Sequence, residues 1–284
     1  MLVCRFACEG IAVDPVLVPR HAVSPEKWNA FVEAQERGWV WHTSAWLDYL
    51  VASGRKDESL AAVDDRGVVV GIMPALLPQS EGDPLPEPLG CFGPGTVYAY
   101  RGQPTKTLTA SGFITRVIDL SRGPTQLWTD LRKSSHALIH RADEEMTFDC
   151  DGRLDPLRAC YARRPDLPQL ADGQWECLQR LVDLGVLRVY VARGDESGRL
   201  LGATGIYLWR DWAYYGHGRS VAKGVAHALQ WHVIKTLAAE GWPYYEVGWM
   251  AHKGDDDKAR SIAHFKAGFG GEDWWVPVTG GHER

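Results

Sequence analysis

The segment Ser261-Ile-Ala-His-Phe-Lys-Ala-Gly-Phe-Gly-Gly271 carries the most chemically suggestive spacing in the chain. Ile262, Phe265 and Phe269 recur at i, i+3 and i+7, which predicts one buried helical stripe. Lys266 lies just off that stripe. Gly268, Gly270 and Gly271 would end the helix and let backbone approach closely. A lysine presented there could meet an anionic group at the rim of a cleft. The competing reading is a surface cation in the last turn of a helix, favoured by the helix dipole. His217 and Arg219 follow a predicted strand over 212–216, where a cleft rim would lie. His217 could take a proton from an amine near neutral pH, or could be a satisfied loop residue.

Other spacings point to less. Val221-Ala-Lys-Gly-Val-Ala226 precedes a predicted helix and places Gly224 and Ala226 as a pyrophosphate-cradling loop would. Val221 stands where such a loop needs Gln or Arg. Asp255, Asp256 and Asp257 could suggest a metal, but a consecutive acidic run reads better as a solvated loop and helix cap. The six cysteines, at 4, 8, 91, 150, 160 and 177, form no Cys-x-x-Cys pair, so neither zinc nor a redox dithiol is indicated. No Gly-x-Ser-x-Gly motif is present. Arg132, Lys133 and Arg141 give one helical stretch a basic character that could touch an RNA backbone or simply face water.

The elements that would position these residues follow from the hydrophobic patterning. Helices are expected over 25–36, capped by Ser24, and after Thr43-Ser44. A hairpin is expected from strands at 60–63 and 68–73. Residues 78–88 hold four prolines and read as a loop. A strand follows over 113–120, then one long helix over 124–145 and a short strand over 146–150. Two further helices, near 156–163 and 174–184, lead into three strands at 187–192, 200–209 and 212–216. Helix 225–239, strand 244–249, helix 258–267 and strand 274–278 complete the order. The two halves thus repeat a similar grammar, which favours a mixed α/β (α+β) fold in two units.

Composition narrows the function classes. The chain has 284 residues and a formal net charge of −5, so a broad nucleic-acid-gripping face is not expected. No apolar run reaches the length of a membrane helix and the first residues do not form a secretory signal. A cytoplasmic protein is expected on these grounds. Thirteen tryptophans are clustered toward the two ends and are expected mainly as core and cleft walls.

The segment Phe265-Lys-Ala-Gly-Phe-Gly-Gly271 resembles the closing motif of the Fem family, non-ribosomal peptidyltransferases that use aminoacyl-tRNA. Ser24-Pro-Glu-Lys-Trp28 with His42-Thr-Ser-Ala-Trp46 is similar to that family's opening helices. Leu131-Arg-Lys-Ser with Ile139-His-Arg-Ala142 resembles its inter-domain helix. Ala228-Leu-Gln-Trp231, Gly241 and Tyr245-Glu-Val-Gly248 resemble the helix and strand before the closing motif. The resemblance implies two tandem GNAT-like domains, of the acyl-CoA N-acyltransferase fold. The first would span 1–123, completed by 272–284, and the second 124–271.

It also implies an aminoacyltransferase joining an aminoacyl group from aminoacyl-tRNA to an amine of a peptide-like acceptor, either a natural-product peptide or a cell-wall precursor. Lys266 maps onto the catalytic lysine, with Phe265 beside it. Trp46, Tyr215, His217, Arg219, Glu246 and Trp249 are the expected substrate-binding residues, and Arg132, Lys133 and Arg141 the expected tRNA contacts. No metal and no cofactor are expected, aminoacyl-tRNA being a co-substrate. Family members acting on nucleotide-linked muropeptides have a lysine shortly after the tryptophan matched by Trp46. Here Leu47, Asp48, Tyr49 and Leu50 occupy that stretch. An acyl-CoA-dependent GNAT N-acyltransferase, using acetyl-CoA or another acyl-CoA, is one alternative. A non-catalytic binding domain that keeps the fold is another.

Overall fold

The computed structural model describes residues 15–35, 38–77, 92–93, 96–97, 103–104, 112–194, 198–251 and 256–277. The expected loop at 78–88, Asp255 and the cysteines at 4, 8 and 91 lie outside the described residues. The first part of the chain runs β1 (Val16–Pro19), α1 (Pro25–Ala34), α2 (Ser44–Ala52), β2 (Lys56–Asp57), β3 (Leu60–Val63), β4 (Val69–Met73), β5 (Leu76–Leu77), β6 (Phe92–Gly93), β7 (Thr96–Val97), β8 (Gln103–Pro104) and β9 (Gly112–Asp119). The expected Ser24 cap forms, its Oγ accepting from Lys27 N, and of the two hydroxyls before the second helix it is Thr43 Oγ1 that caps, accepting from Trp46 N.

The second part runs α3 (Pro124–Asp130), α4 (Lys133–Glu145), β10 (Met146–Asp151), α5 (Asp155–Ala162), α6 (Asp172–Asp183), β11 (Leu187–Gly194), β12 (Leu200–Trp209), β13 (Trp212–Ser220), α7 (Val225–Ala239), β14 (Tyr244–Met250), α8 (Asp257–Ala267) and β15 (Glu272–Pro277). The single helix expected over 124–145 is two helices. Leu131 takes an extended ψ of 144° and buries its side chain, so the axis breaks there. The chain then restarts as α4 with Arg132 bonded to α8.

Two main sheets carry the fold. One orders its strands β1-β3-β4-β6-β7, and the other β10-β11-β12-β13-β14-β9-β15-β8. The large sheet thus takes in β8 and β9 as well as strands that follow residue 123. β9 inserts between β14 and β15, pairing antiparallel with both. The segment after Gly271 does return to strands of the first half, but inside the large sheet. No helix among the described residues is long and apolar enough to cross a membrane.

The feature that positions the site is the junction of β13 and β14. These neighbours are parallel in an otherwise antiparallel run, and they pair only from Trp212↔Tyr244 to Tyr214↔Glu246. Beyond that rung the strands part. Two apolar clusters cover the large sheet. One joins α7 and Phe269 to Tyr190, Ile206 and Tyr245. The other joins Trp28, Trp39, Trp41 and Trp46 of the first half to Tyr207, Trp212 and Tyr214 of the large sheet. Burial of this tryptophan-rich layer fastens the first half to the sheet, through tryptophan–tyrosine contacts such as Trp41–Tyr214 at 4.8 Å.

Candidate active site

Lys266 lies in the last turn of α8, whose N-terminus is capped by Asp256 accepting from Ala259 N at 2.7 Å. The other end of α8 is anchored by Arg132. Its guanidinium donates to the His264 carbonyl at 2.8 Å and pairs with His264 Nε2 at 2.6 Å, while its amide donates to Gly268 O. This fixes the rotation of the helix. Lys266 Nζ then reaches the backbone of β14, donating to Trp249 O at 2.9 Å.

β14 is bulged at this point, its register with β9 slipping between Glu246 and Gly248. Gly248 has φ +83°. A Cβ built there would stand 3.0 Å from Tyr214 Oη and 3.2 Å from Lys266 Nζ. A glycine is therefore required both by conformation and by space. Gly248→Ala is expected to add roughly 1–3 kcal/mol of strain and to displace the ammonium. Thermal melting together with a turnover assay checks this. An alanine variant with wild-type rate and stability would show that the approach is not tight.

Glu246 lies just before the bulge. Its Oε1 accepts from Thr115 Oγ1 at 2.5 Å, and Thr115 is buried on β9. Tyr214, its register partner, is buried against Trp41. Trp41 in turn lies 4.3 Å, ring to ring, from Trp46, which stacks on Tyr49. An aromatic wall thus runs from α2 to the Lys266 ammonium. Trp46 is 8% exposed, and its Nε1 has no hydrogen-bond partner.

His217 closes the same face further along β13. Its Nε2 pairs with Tyr207 Oη at 2.7 Å and its Nδ1 with Tyr161 Oη at 3.4 Å. Burial, with the Arg219 charge adding to it, pushes the imidazole down to about 4. Burial pushes His42, under the tryptophan layer, down to about 3. Both histidines are neutral at pH 7 in the folded chain, whereas the unfolded chain protonates them near pH 6.5. Their contribution to stability is therefore present above pH 6.5 and is lost as pH falls toward 4 and then 3. Each contributes a slope of about 1.4 kcal/mol per pH unit in that window. Denaturant melts at pH 7 and pH 5 check the sign, and His217→Gln should flatten part of the slope.

The remaining expected site residues separate. Tyr215 and Arg219 line a different cavity, of about 70 Å³, between β12, β13 and the start of α7. Arg219 donates to Pro168 O at 3.0 Å and lies 4.0 Å over the Tyr161 ring. Burial pushes the Tyr215 phenol up to about 12. Trp249 contributes its carbonyl to Lys266. Phe265 packs its ring edge-on against His227 and Phe269, on the α7 side. Ile262 is 43% exposed, so the expected three-residue stripe buries only its C-terminal part. Among the expected RNA contacts, Arg132 is engaged with α8, Arg141 pairs with Glu145, and Lys133 is exposed. Among the described residues no group of His, Cys, Asp and Glu could hold a metal ion.

The sequence reading missed Tyr214, Thr115 and the tyrosines around His217. The register of β13 with β14 singles out Tyr214, and no local motif encodes it.

Comparison with solved structures identifies the architecture. A crystal structure of FemX superposes with a TM-score of 0.60 at 11% identity, covering 90% of this chain and 96% of that one. The chain has the FemX fold. A conserved protein of unknown function from Bacteroides thetaiotaomicron superposes with a TM-score of 0.54 at 9% identity, covering 90% and 98%. The tandem GNAT-like architecture expected from the Fem resemblance is thus present. In the second unit, β10-α5-α6-β11-β12-β13-α7-β14-α8-β15 forms one uninterrupted strand–helix series. No sequence-family profile matches the chain, and no curated protein matches it.

Proposed function

We propose that the chain is an aminoacyltransferase that moves an aminoacyl group from aminoacyl-tRNA to an amine of a peptide-like acceptor. The observation that carries this reading is the placement of Lys266 Nζ at the β14 bulge, where β13 and β14 part, beside Tyr214 Oη. An aminoacyl ester is already activated. The protein needs to align it and to stabilise charge on the carbonyl oxygen as the amine attacks. The amine nitrogen forms a bond to the carbonyl carbon. The bond from that carbon to the ribose oxygen breaks, and the amine proton ends on the released ribose hydroxyl. Lys266 balances the transient negative charge. Its contact with Trp249 O holds the ammonium in place before substrate arrives.

The acceptor differs in kind from a nucleotide-linked muropeptide under this reading. The stretch where such relatives have a lysine carries Asp48, which is bound to Arg20 at 2.8 Å and to Arg180 at 3.3 Å. That position is committed to an ion network holding α2 to the turn after β1 and to α6, so a natural-product peptide or a short cell-wall peptide suits it better.

The alternative donor, an acyl-CoA, fits less well. Gly224 adopts the left-handed conformation before α7 as a phosphate loop would need. The cavity there is about 70 Å³, well below the roughly 300 Å³ at which ligand pockets begin. The deciding assay offers candidate amines with a charged tRNA pool and, separately, acetyl-CoA. RNase-sensitive product formation supports the proposal. Product from acetyl-CoA alone would overturn it.

A further inference from the structure

Where β13 and β14 part, a chain of three buried side chains ties the two strands together. Tyr245 of β14 donates through Oη to Gln230 Oε1 on α7. Gln230 Nε2 donates to Thr204 Oγ1 of β12 at 3.2 Å. The Thr204 hydroxyl donates to the His217 carbonyl of β13 at 2.6 Å. Burial raises the Tyr245 phenol well above its usual range, so it keeps its proton and the chain of donors runs in one direction. All three side chains are buried. Tyr245 belongs to the apolar cluster of Ile206, Val233 and Ile234, where a polar group costs free energy unless it is paired. Apolar side chains could fill the same space without that demand. A fully paired polar chain contributes a fixed geometry instead.

The ladders are irregular at both ends of this chain. The β12–β13 register slips between Gly205 and Ile206, and Gly205 is the partner of His217. The β14–β9 register slips between Glu246 and Gly248, just past Tyr245. A bulge bends its strand and interrupts the ladder bonds. His217 also stands three residues beyond the last β13–β14 rung, Tyr214↔Glu246. We infer that Gln230 is a positioning residue that sets the width of the cleft between β13 and β14, and with it the distance from the β13 wall to the Lys266 ammonium. This rests on the transfer reading above. Lys266 is tied to β14 through Trp249 O, so its place over the reacting carbonyl depends on how far β14 stands from β13. Gln230 acts through the strands. Its amide orients Thr204, which holds β13, and Tyr245, which belongs to β14. No bond is made or broken at Gln230.

Turnover and amide hydrogen exchange, read on the same variants, test this. Gln230→Met alone takes the partner from the Tyr245 hydroxyl and the donor from Thr204, and should lower both stability and rate. Adding Tyr245→Phe and Thr204→Val removes the polar groups together, which should restore most of the denaturant midpoint. The kcat of this triple variant should nevertheless stay about tenfold to a hundredfold below wild type. Its amide exchange should stay raised on both β13 and β14 past the last rung, over 215–220 and 247–250. A triple variant with wild-type kcat and wild-type exchange overturns the inference, and Gln230 is then a packing residue. If the triple variant does not fold, Tyr245→Phe decides, since it deletes a single hydroxyl. Raised exchange on both strands supports the inference, and a rise confined to β14 overturns it. The unsubstituted protein is the control for the transfer reading. If it forms no product from charged tRNA, that reading falls and the claim on Lys266 falls with it, while the exchange data still decide whether the network spaces the two strands.

Discussion

Lys266→Ala is expected to lower the turnover rate by about 10²–10³, the usual cost of losing one donor to a developing oxyanion. The fold should survive it. α8 is held by the Asp256 cap, by Arg132 on His264 and Gly268, and by burial of Phe269. None of these needs the Lys266 ammonium, and alanine is a good helix former. Lys266→Arg keeps the charge but replaces a compact ammonium with a planar fork in a space bounded by Gly248 and Tyr214, so it should recover only part of the rate. Single-turnover rates measured beside thermal melts separate the two effects. A Lys266→Ala protein that is folded and turns over like wild type would leave Lys266 as a helix-end cation, and the reading as a binding domain would take its place.

Phe269→Ala should show the reverse pattern. Phe269 is 2% exposed and packs edge-on against Phe265 at 5.1 Å, with His227 at 6.0 Å. Removing its ring is expected to destabilise the chain by about 3–5 kcal/mol. The denaturant midpoint reads this directly. Any rate loss should shrink under conditions where the variant is fully folded, because Phe269 touches the α7 side and not the Lys266 ammonium. A variant with an unchanged midpoint would mean that the space refills by local collapse.

The contrast between these neighbours shows what the sequence could convey. Helical spacing placed Lys266 in the right element and Phe269 on its buried side just past the helix end, and the caps Ser24, Thr43 and Asp256 were readable because each is a local contact. The hydrophobic spacing of Ile262 was misleading. Spacing reports which residues share a face, while exposure depends on where the neighbouring layer ends. The break at Leu131 was equally hidden, since it is stabilised by a long-range bond from Arg132 to Gly268. Tyr214 and Thr115 reach the candidate site only through strand register, which joins residues far apart in the chain. The charge of Arg132 is legible in the sequence, whereas its bonds to His264 and Gly268 are not.

The insertion of β9 between β14 and β15 sets the order in which the protein can be completed during synthesis. Residues 112–119 emerge well before the strands that flank them on either side, 244–250 and 272–277. Until then β9 has two open edges, each able to template pairing with another chain. Synthesis must pass residue 277 before the sheet can close over Thr115. Expression of either half by itself should therefore yield aggregation-prone material, and slower translation between residues 119 and 277 should lengthen the vulnerable interval.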